Sequence, residues 1–190
     1  MNILALSGNV KRPSRTASLV SVIADRLRQR IGGHLQSIEL VDAAPVLFRA
    51  LRADQLDTEG KAIIAAVEGA DIIIVGSPVY RASYSGALKH LFDLVDYRTL
   101  AGKRVVLAAT GGTPLHGLML EHQLRPLFGF FNAMTVPTAV YALEDDFASH
   151  ELTNLAVLER IDRAIEEIAA IMPAANTEAT LTGKRSGLAA

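Results

Sequence analysis

Residues Ser7 to Thr16 read Ser-Gly-Asn-Val-Lys-Arg-Pro-Ser-Arg-Thr. They bring together Gly8, the hydroxyls of Ser7, Ser14 and Thr16, the amide of Asn9, and the cations Lys11, Arg12 and Arg15. A short apolar run, Ile3 to Leu6, precedes them, and apolar residues at helical spacing follow (Leu19, Val20, Ile23, Leu27, Ile31). The stretch is therefore a connection from a strand to a helix. Loop N–H groups and a helix N-terminus facing one point hold a phosphate, and arginine adds paired, charge-assisted hydrogen bonds. Helix capping by Ser14 or Thr16 accounts for the hydroxyls. It does not account for three cations where the helix dipole is positive.

The kind of phosphate follows from what is missing. A dinucleotide fingerprint needs G-x-G-x-x-G, and only Gly8 is present. A Walker loop needs a glycine where Pro13 stands. A hydroxyl-rich loop without those glycines suits a terminal phosphate monoester, which points to flavin mononucleotide. Two further stretches fit a planar ligand. Gly76-Ser77-Pro78-Val79-Tyr80 is a tight strand exit whose N–H groups can lie along a ring edge. Thr110-Gly111-Gly112 lets backbone approach a flat ligand, because glycine lacks a side chain. Tyr80 and Tyr84 suit a pocket edge, each with an apolar ring and a polar tip.

The elements that position these stretches follow from periodicity. Strands are expected at 3–6, 35–41, 71–77, 103–109 and 135–143. Helices are expected at 16–31, 55–69, 85–97, 115–133 and 150–172, the last stopped by Pro173. Residues 42–57 read as a long connection, and residues 173–190 as a tail after a domain of residues 1–172. The run Ile72-Ile73-Ile74-Val75 suits a central parallel strand buried on both faces, and Pro137 places the fifth strand near an edge. Five βα units give a flavodoxin-like three-layer sandwich with a five-stranded parallel sheet in order 2-1-3-4-5. Ligands of such sheets bind past the strand carboxyl ends, between the first and third strands. The loops 7–16, 77–84 and 110–114 meet there.

Composition removes other classes. Half of the 190 residues are hydrophobic and 21% are charged, so a large core is available. A net charge of −1 argues against a nucleic-acid surface or a polybasic membrane anchor. There is no cysteine, hence no disulfide and no thiolate chemistry. No apolar run approaches the ~18 residues of a membrane span. The N-terminus enters a strand without signal-peptide character, so a cytoplasmic protein is expected. The five histidines show no metal-ligand spacing, and no metal site is expected. Asp145 and Asp146 read as a solvated strand exit, and no G-x-S-x-G supports a hydrolase.

The first loop, the run 76–89 (Gly-Ser-Pro-Val-Tyr-Arg-Ala-Ser-Tyr-Ser-Gly-Ala-Leu-Lys) and Ala-Thr-Gly-Gly-Thr at 109–113 resemble the NAD(P)H-dependent FMN reductases. They are most similar to the reductase components of two-component alkanesulfonate or methanesulfonate monooxygenases. The resemblance runs through residues 1–172. It implies an FMN phosphate held by Asn9, Lys11, Ser14, Arg15 and Thr16. It implies a ring contacted by Pro78, Val79 and Tyr80, with Thr110, Gly111 and Gly112 beside the pyrimidine end. It further implies hydride transfer from NADH or NADPH to FMN, with no acid or base assigned, and release of FMNH2 to a partner monooxygenase. The expected assembly is a homodimer or homotetramer. Related reductases carry a tyrosine in a π-helical insertion at a tetramer interface; the matching position here is His122, in a helix that Pro126 must distort. Alternatives are a flavin-retaining quinone or azo-dye reductase of the same fold, and a flavodoxin-type carrier, for which a strongly acidic chain is expected.

Overall fold

The structure, a computed structural model, describes residues 1–172. The expected tail and the helix stop at Pro173 lie outside the described residues. Strand β1 (Asn2–Ser7) lies between β2 (His34–Glu39) and β3 (Ile72–Pro78), and β4 (Arg104–Gly111) follows β3. The fifth position is shared by two short strands on β4: β5 (Met134–Thr135) and β6 (Val140–Leu143). All these pairings are parallel and the order is 2-1-3-4-5, as expected.

Alternation along the central strands sorts the core into two layers. Leu4, Leu6, Ile73, Val75, Val105 and Leu107 face the layer of α2 (Leu40–Leu47), α3 (Thr58–Glu68), α4 (Gly86–Leu94) and α5 (Arg125–Phe130). Ile3, Ala5, Ile72, Ile74, Val106 and Ala108 face α1 (Arg15–Ile31) and α6 (Leu155–Ala170). Helix α1 packs so close to β3 that a Cβ on Gly76 would stand 2.3 Å from Val20 Cγ2. That contact lowers the start of α1 onto the first and third strand ends.

Several expected boundaries change. The second strand stops at Glu39, and residues 40–47, expected as the end of that strand and the start of the connection, form α2. Leu40, Ala43, Ala44 and Leu47 are buried at helical spacing, which outweighs Pro45 in so short a helix. Helix α4 stops at Leu94 because Val95 is extended. The helix expected at 150–172 begins five residues later, after its cap Asn154. Ahead of it stands a hairpin of β7 (Phe147–Ala148) and β8 (Glu151–Leu152), turned at Ser149 with φ 59°.

The fifth strand splits at Val136–Ala139, where Pro137 has no N–H for the ladder. Side chains complete the backbone there. Arg125 donates to the Val136 and Pro137 carbonyls at 2.8 and 3.1 Å, and Arg160 to that of Ala139 at 2.6 Å. Glu167 accepts from the Thr138 N–H at 2.8 Å.

The single helix expected at 115–133 is three pieces: a 3-10 turn at Pro114–Gly117, a π turn at Leu120–Leu124, and α5. His122 sits in the middle of the π turn, exposed, and the Arg125 N–H donates to the Leu120 carbonyl five residues back. Pro126 has no N–H to offer the His122 carbonyl. Glu121 grips Arg125 at 2.6 and 2.9 Å, and this ion pair holds the Glu121 carboxyl below its ordinary range.

Candidate functional site

The first loop is built before any ligand arrives. The Gly8 N–H donates to the Gly76 carbonyl at 2.7 Å, and Ser85 Oγ donates to the Gly8 carbonyl at 2.8 Å. The Asn9 amide donates to Glu39 at 3.0 Å and to the Lys11 carbonyl at 3.2 Å. Arg12 forks onto Glu39 and Asp42, at 2.8 and 2.6 Å. Asp42, with Glu39 behind it, keeps the Arg12 guanidinium firmly protonated, and Arg12 holds the Asp42 carboxyl below the usual range. Arg12 thus fastens the loop to the end of β2 and the start of α2.

Ser14 caps α1, its Oγ accepting from the Ala17 N–H at 3.2 Å. The cap leaves the hydroxyl proton of Ser14 free to donate. The first N–H groups of α1 have no intrahelical acceptor, and no acidic residue stands in the first turn to answer its dipole. Arg15 Nη2 meets Glu144 Oε1 at 2.5 Å, yet Arg15 Nε is buried without a partner, as is Asn9 Oδ1. An orphaned donor and acceptor of this kind are costly unless something else satisfies them.

The second loop leaves β3 through Ser77, whose Oγ accepts from the Ser85 N–H at 2.9 Å. The Val79 N–H donates to the Thr110 carbonyl at 2.9 Å, joining the second loop to the third. Tyr80 and Ser83 then exchange two backbone hydrogen bonds, 2.8 and 3.0 Å, around Arg81 and Ala82. Both central residues are left-handed, with φ 51° and 63°. This is the two-residue turn that normally takes Asn-Gly, and each left-handed residue with a Cβ costs about 1–2 kcal/mol.

The third loop is tied to the first by a buried contact of 2.6 Å between Thr16 Oγ1 and Thr110 Oγ1. Its two glycines differ. A Cβ on Gly111 would stand 2.5 Å from Tyr141 Oη and 3.1 Å from His116 Cβ, so its missing side chain makes room for the protein. Tyr141 Oη donates to the Thr113 carbonyl at 2.6 Å, and burial pushes this phenol up. A Cβ on Gly112 would meet nothing within 4 Å. The space beside Gly111 is filled by protein and that beside Gly112 is open, while both residues line the same cleft.

The three loops enclose a cleft of about 410 Å³ past the strand carboxyl ends, within the range of ligand pockets. Asn9, Lys11, Ser14, Arg15 and Thr16 line it from the first loop, Pro78, Val79 and Tyr80 from the second, and Thr110, Gly111 and Gly112 from the third. Tyr80 is 41% exposed at the rim. Tyr84, expected beside it, packs on the apolar core instead. Arg12, Pro13, Glu144 and His150 also line the cleft. Glu144 follows β6, so the carboxyl-end rule that nominates three loops nominates it as well. His150 carried no such signal, because the hairpin that places it read as helix. Asp146, expected to be solvated, is buried: it accepts from the Leu143 N–H at 2.7 Å and the Asn154 amide at 2.5 Å, fixing the segment that carries Glu144. Among the described residues no acidic and histidine cluster could hold a metal, and no helix is long and apolar enough to cross a membrane.

Residues 1–148 match the family model described as NADPH-dependent FMN reductase. An NADH-dependent FMN reductase, SfnF, of Pseudomonas fluorescens is 47% identical over 89% of this chain and 90% of its own length. An FMN reductase (NADPH) of Pseudomonas aeruginosa is 46% identical, over 88% and 90%. Among solved structures, the apo form of an NADH:FMN oxidoreductase, EmoB, superposes with a TM-score of 0.80 at 29% identity, covering 93% of this chain and 92% of that one.

Proposed function

The chain belongs to the NADPH-dependent FMN reductase family and catalyses NAD(P)H-dependent reduction of FMN, and on that premise we propose that the three-loop cleft is where FMN sits. One observation supports this most: the start of α1 lines the cleft with N–H groups that have no intrahelical acceptor and no carboxylate in the first turn, and Arg15, whose Nε has no partner in the protein, lines the same cleft. That donor set fits a dianionic phosphate monoester.

Each residue then has a task. Arg15, Lys11 and the N–H groups of Arg15 and Thr16 bind the phosphate, and the Ser14 hydroxyl donates to it. Thr16 and Thr110 share one hydroxyl proton, so the other is left to face the ligand. Pro78, Val79 and Tyr80 border one edge of the isoalloxazine ring, and Gly112 clears the space beside its pyrimidine end. When bound, the flavin accepts a hydride at N5 from the nicotinamide C4. The side chains supply proximity and alignment; none is assigned as acid or base. Residues 1–172 form the reductase domain in this reading, and the cytoplasm, which supplies reduced nicotinamide nucleotide, is its place of work.

FMN treated as a substrate leaves reduced, and the matching consumer is an FMNH2-dependent monooxygenase acting on a sulfonate. The resemblance of the three loops to the reductase components of such systems supports this, as does the exposed rim at Tyr80. The expected assembly is a homodimer or homotetramer. Supporting it are the exposed Leu115, Leu118 and His122 on the π-turn segment and Phe130, 68% exposed, beyond it. The deciding experiment is steady-state oxidation of NADH and NADPH with FMN, FAD and riboflavin as varied substrates. Saturation by free FMN, with no third acceptor, is the expected result. Protein that retains its FMN and turns over only with a quinone or azo dye overturns the release of reduced flavin.

A further inference from the structure

The side chain of Gln123 ties the π turn to the second loop, just past the residues of that loop that line the cleft. Its Nε2 donates to the Ala82 carbonyl at 2.7 Å, and Ser83 Oγ hydrogen-bonds its Oε1. A carbonyl only accepts, so the Ala82 contact fixes the NH2 end of the amide there and turns the Oε1 end to Ser83. Both partners belong to the turn of Tyr80–Ser83, whose two central residues are left-handed without being glycine. Such a turn persists only where its surroundings over-determine it. Immediately before that turn, Val79 is pinned to Thr110; at its start, Tyr80 stands on the cleft rim. Gln123 itself is held from below by its neighbour Leu124, fully buried in the core, and by the π turn that ends there.

We propose that Gln123 is a positioning residue for the flavin: from the π turn it clamps the strained 80–83 turn and so sets Tyr80 against the ring. This rests on the assignment of FMN to the cleft. The clamp needs one donor and one acceptor on the same side chain. Glutamine has both; glutamate, which only accepts, faces the Ala82 carbonyl with a repulsive oxygen.

The test uses the full chain in four forms: wild type, Gln123→Met, which keeps the length but loses both hydrogen bonds, Gln123→Glu, and Gln123→Met combined with Ala82→Gly. The first readout is amide hydrogen exchange at Tyr80 and Ser83 in flavin-free protein. Exchange should quicken by roughly tenfold in Gln123→Met, the scale of two ordinary hydrogen bonds. It should slow again in the double variant, because glycine adopts the left-handed turn without strain. The second readout is FMN binding and turnover. The Kd and KM for FMN should rise by about tenfold in Gln123→Met and Gln123→Glu, with kcat changed by less than about threefold, and the double variant should recover most of the loss. A role confined to packing of the π turn predicts no rescue from residue 82. Gln123→Met with wild-type exchange and wild-type FMN affinity overturns the proposal, and so does a loss that Ala82→Gly does not restore. If Gln123→Met does not fold, Ser83→Ala removes one of the two bonds from the other side, and unchanged exchange at Tyr80 overturns the clamp. A wild type that neither binds nor reduces FMN overturns the cleft assignment instead; the exchange data then still decide whether Gln123 holds the turn.

Discussion

Two hollows of the molecule differ in what walls them. The cleft past the strand carboxyl ends, about 410 Å³, is walled by hydroxyls, amides, glycines and arginine. The groove that runs along α3 to the carboxyl halves of α4 and α5 is about twice as large, about 860 Å³; Leu56, Ile64, Phe92, Leu127, Phe130 and Phe131 wall it, with charged residues such as Lys61, Glu68 and Asp93 among them. Helices in βα units run against their strands, so helix carboxyl ends gather where strands begin. There the backbone presents carbonyls, and the last turns are filled with apolar packing such as the edge-on pair Phe92 and Phe128, 5.0 Å between ring centres. At the other end the backbone presents N–H groups and the chain has glycine and hydroxyl residues to spare. Chemistry follows the direction of the peptide dipoles and not the size of the hollow.

The sharpest way to break that contrast is to fill the smaller hollow. Gly112→Leu puts a side chain into open space without touching the protein, so it should weaken FMN by at least about 100-fold, some 2.8 kcal/mol, while the melting temperature stays put. Gly111→Val, one residue earlier, should do the reverse and lower stability first, because it drives into Tyr141 and His116. Flavin fluorescence titration and thermal melts of the two variants check this pair, and identical behaviour would erase the distinction between the glycines.

Next in size is the phosphate contact. Arg15→Ala should cost FMN about 1.5–3 kcal/mol, the scale of a hydrogen bond to a charged group, and leave riboflavin nearly indifferent. Equal losses for both flavins would move the phosphate elsewhere. At the apolar end, Phe130→Ser should change FMN affinity by less than about twofold, since the side chain is remote from the cleft, but should weaken self-association measured by sedimentation. A loss of flavin binding there would tie the two ends together.

The smallest effect is that of acid on the seam between β5 and β6. Arg125 holds the Glu121 carboxyl below its ordinary range, so the stability this pair contributes is present above the unfolded value and is lost as pH falls through the lowered one. Melting temperatures of Glu121→Gln should therefore fall less than those of wild type between about pH 5 and about pH 3, and the two should run parallel from about pH 6 to about pH 8.

The parts of the fold buried on both faces were legible in the sequence. Ile72 to Val75 and Val105 to Ala109 are short, continuous apolar runs rich in β-branched residues, which suit a strand buried on both faces. The three loops were legible because a strand exit into glycine and hydroxyl residues is local chemistry. What did not show was decided by contacts across the chain. Helix α2 hid behind Pro45, and the split of the fifth strand depends on Arg125, Arg160 and Glu167, which lie outside it. The turn of Tyr80–Ser83 gave no signal because arginine and alanine occupy positions where a reader looks for asparagine and glycine. The separate tasks of Gly111 and Gly112 became visible only when Tyr141, thirty residues on, was in place.

The clasp of Arg12 on Glu39 and Asp42, with Asn9 on Glu39, bears on how fast the cleft can exchange its contents. A phosphate loop that orders only around its ligand must reorganise at each arrival and unravel at each departure, and those steps limit both rates. Here residues 8–12 are bonded to three other segments of the protein, so part of their conformational entropy is surrendered in folding and not on binding. Arrival then approaches the speed of simple encounter, and departure waits only on the contacts to the ligand itself.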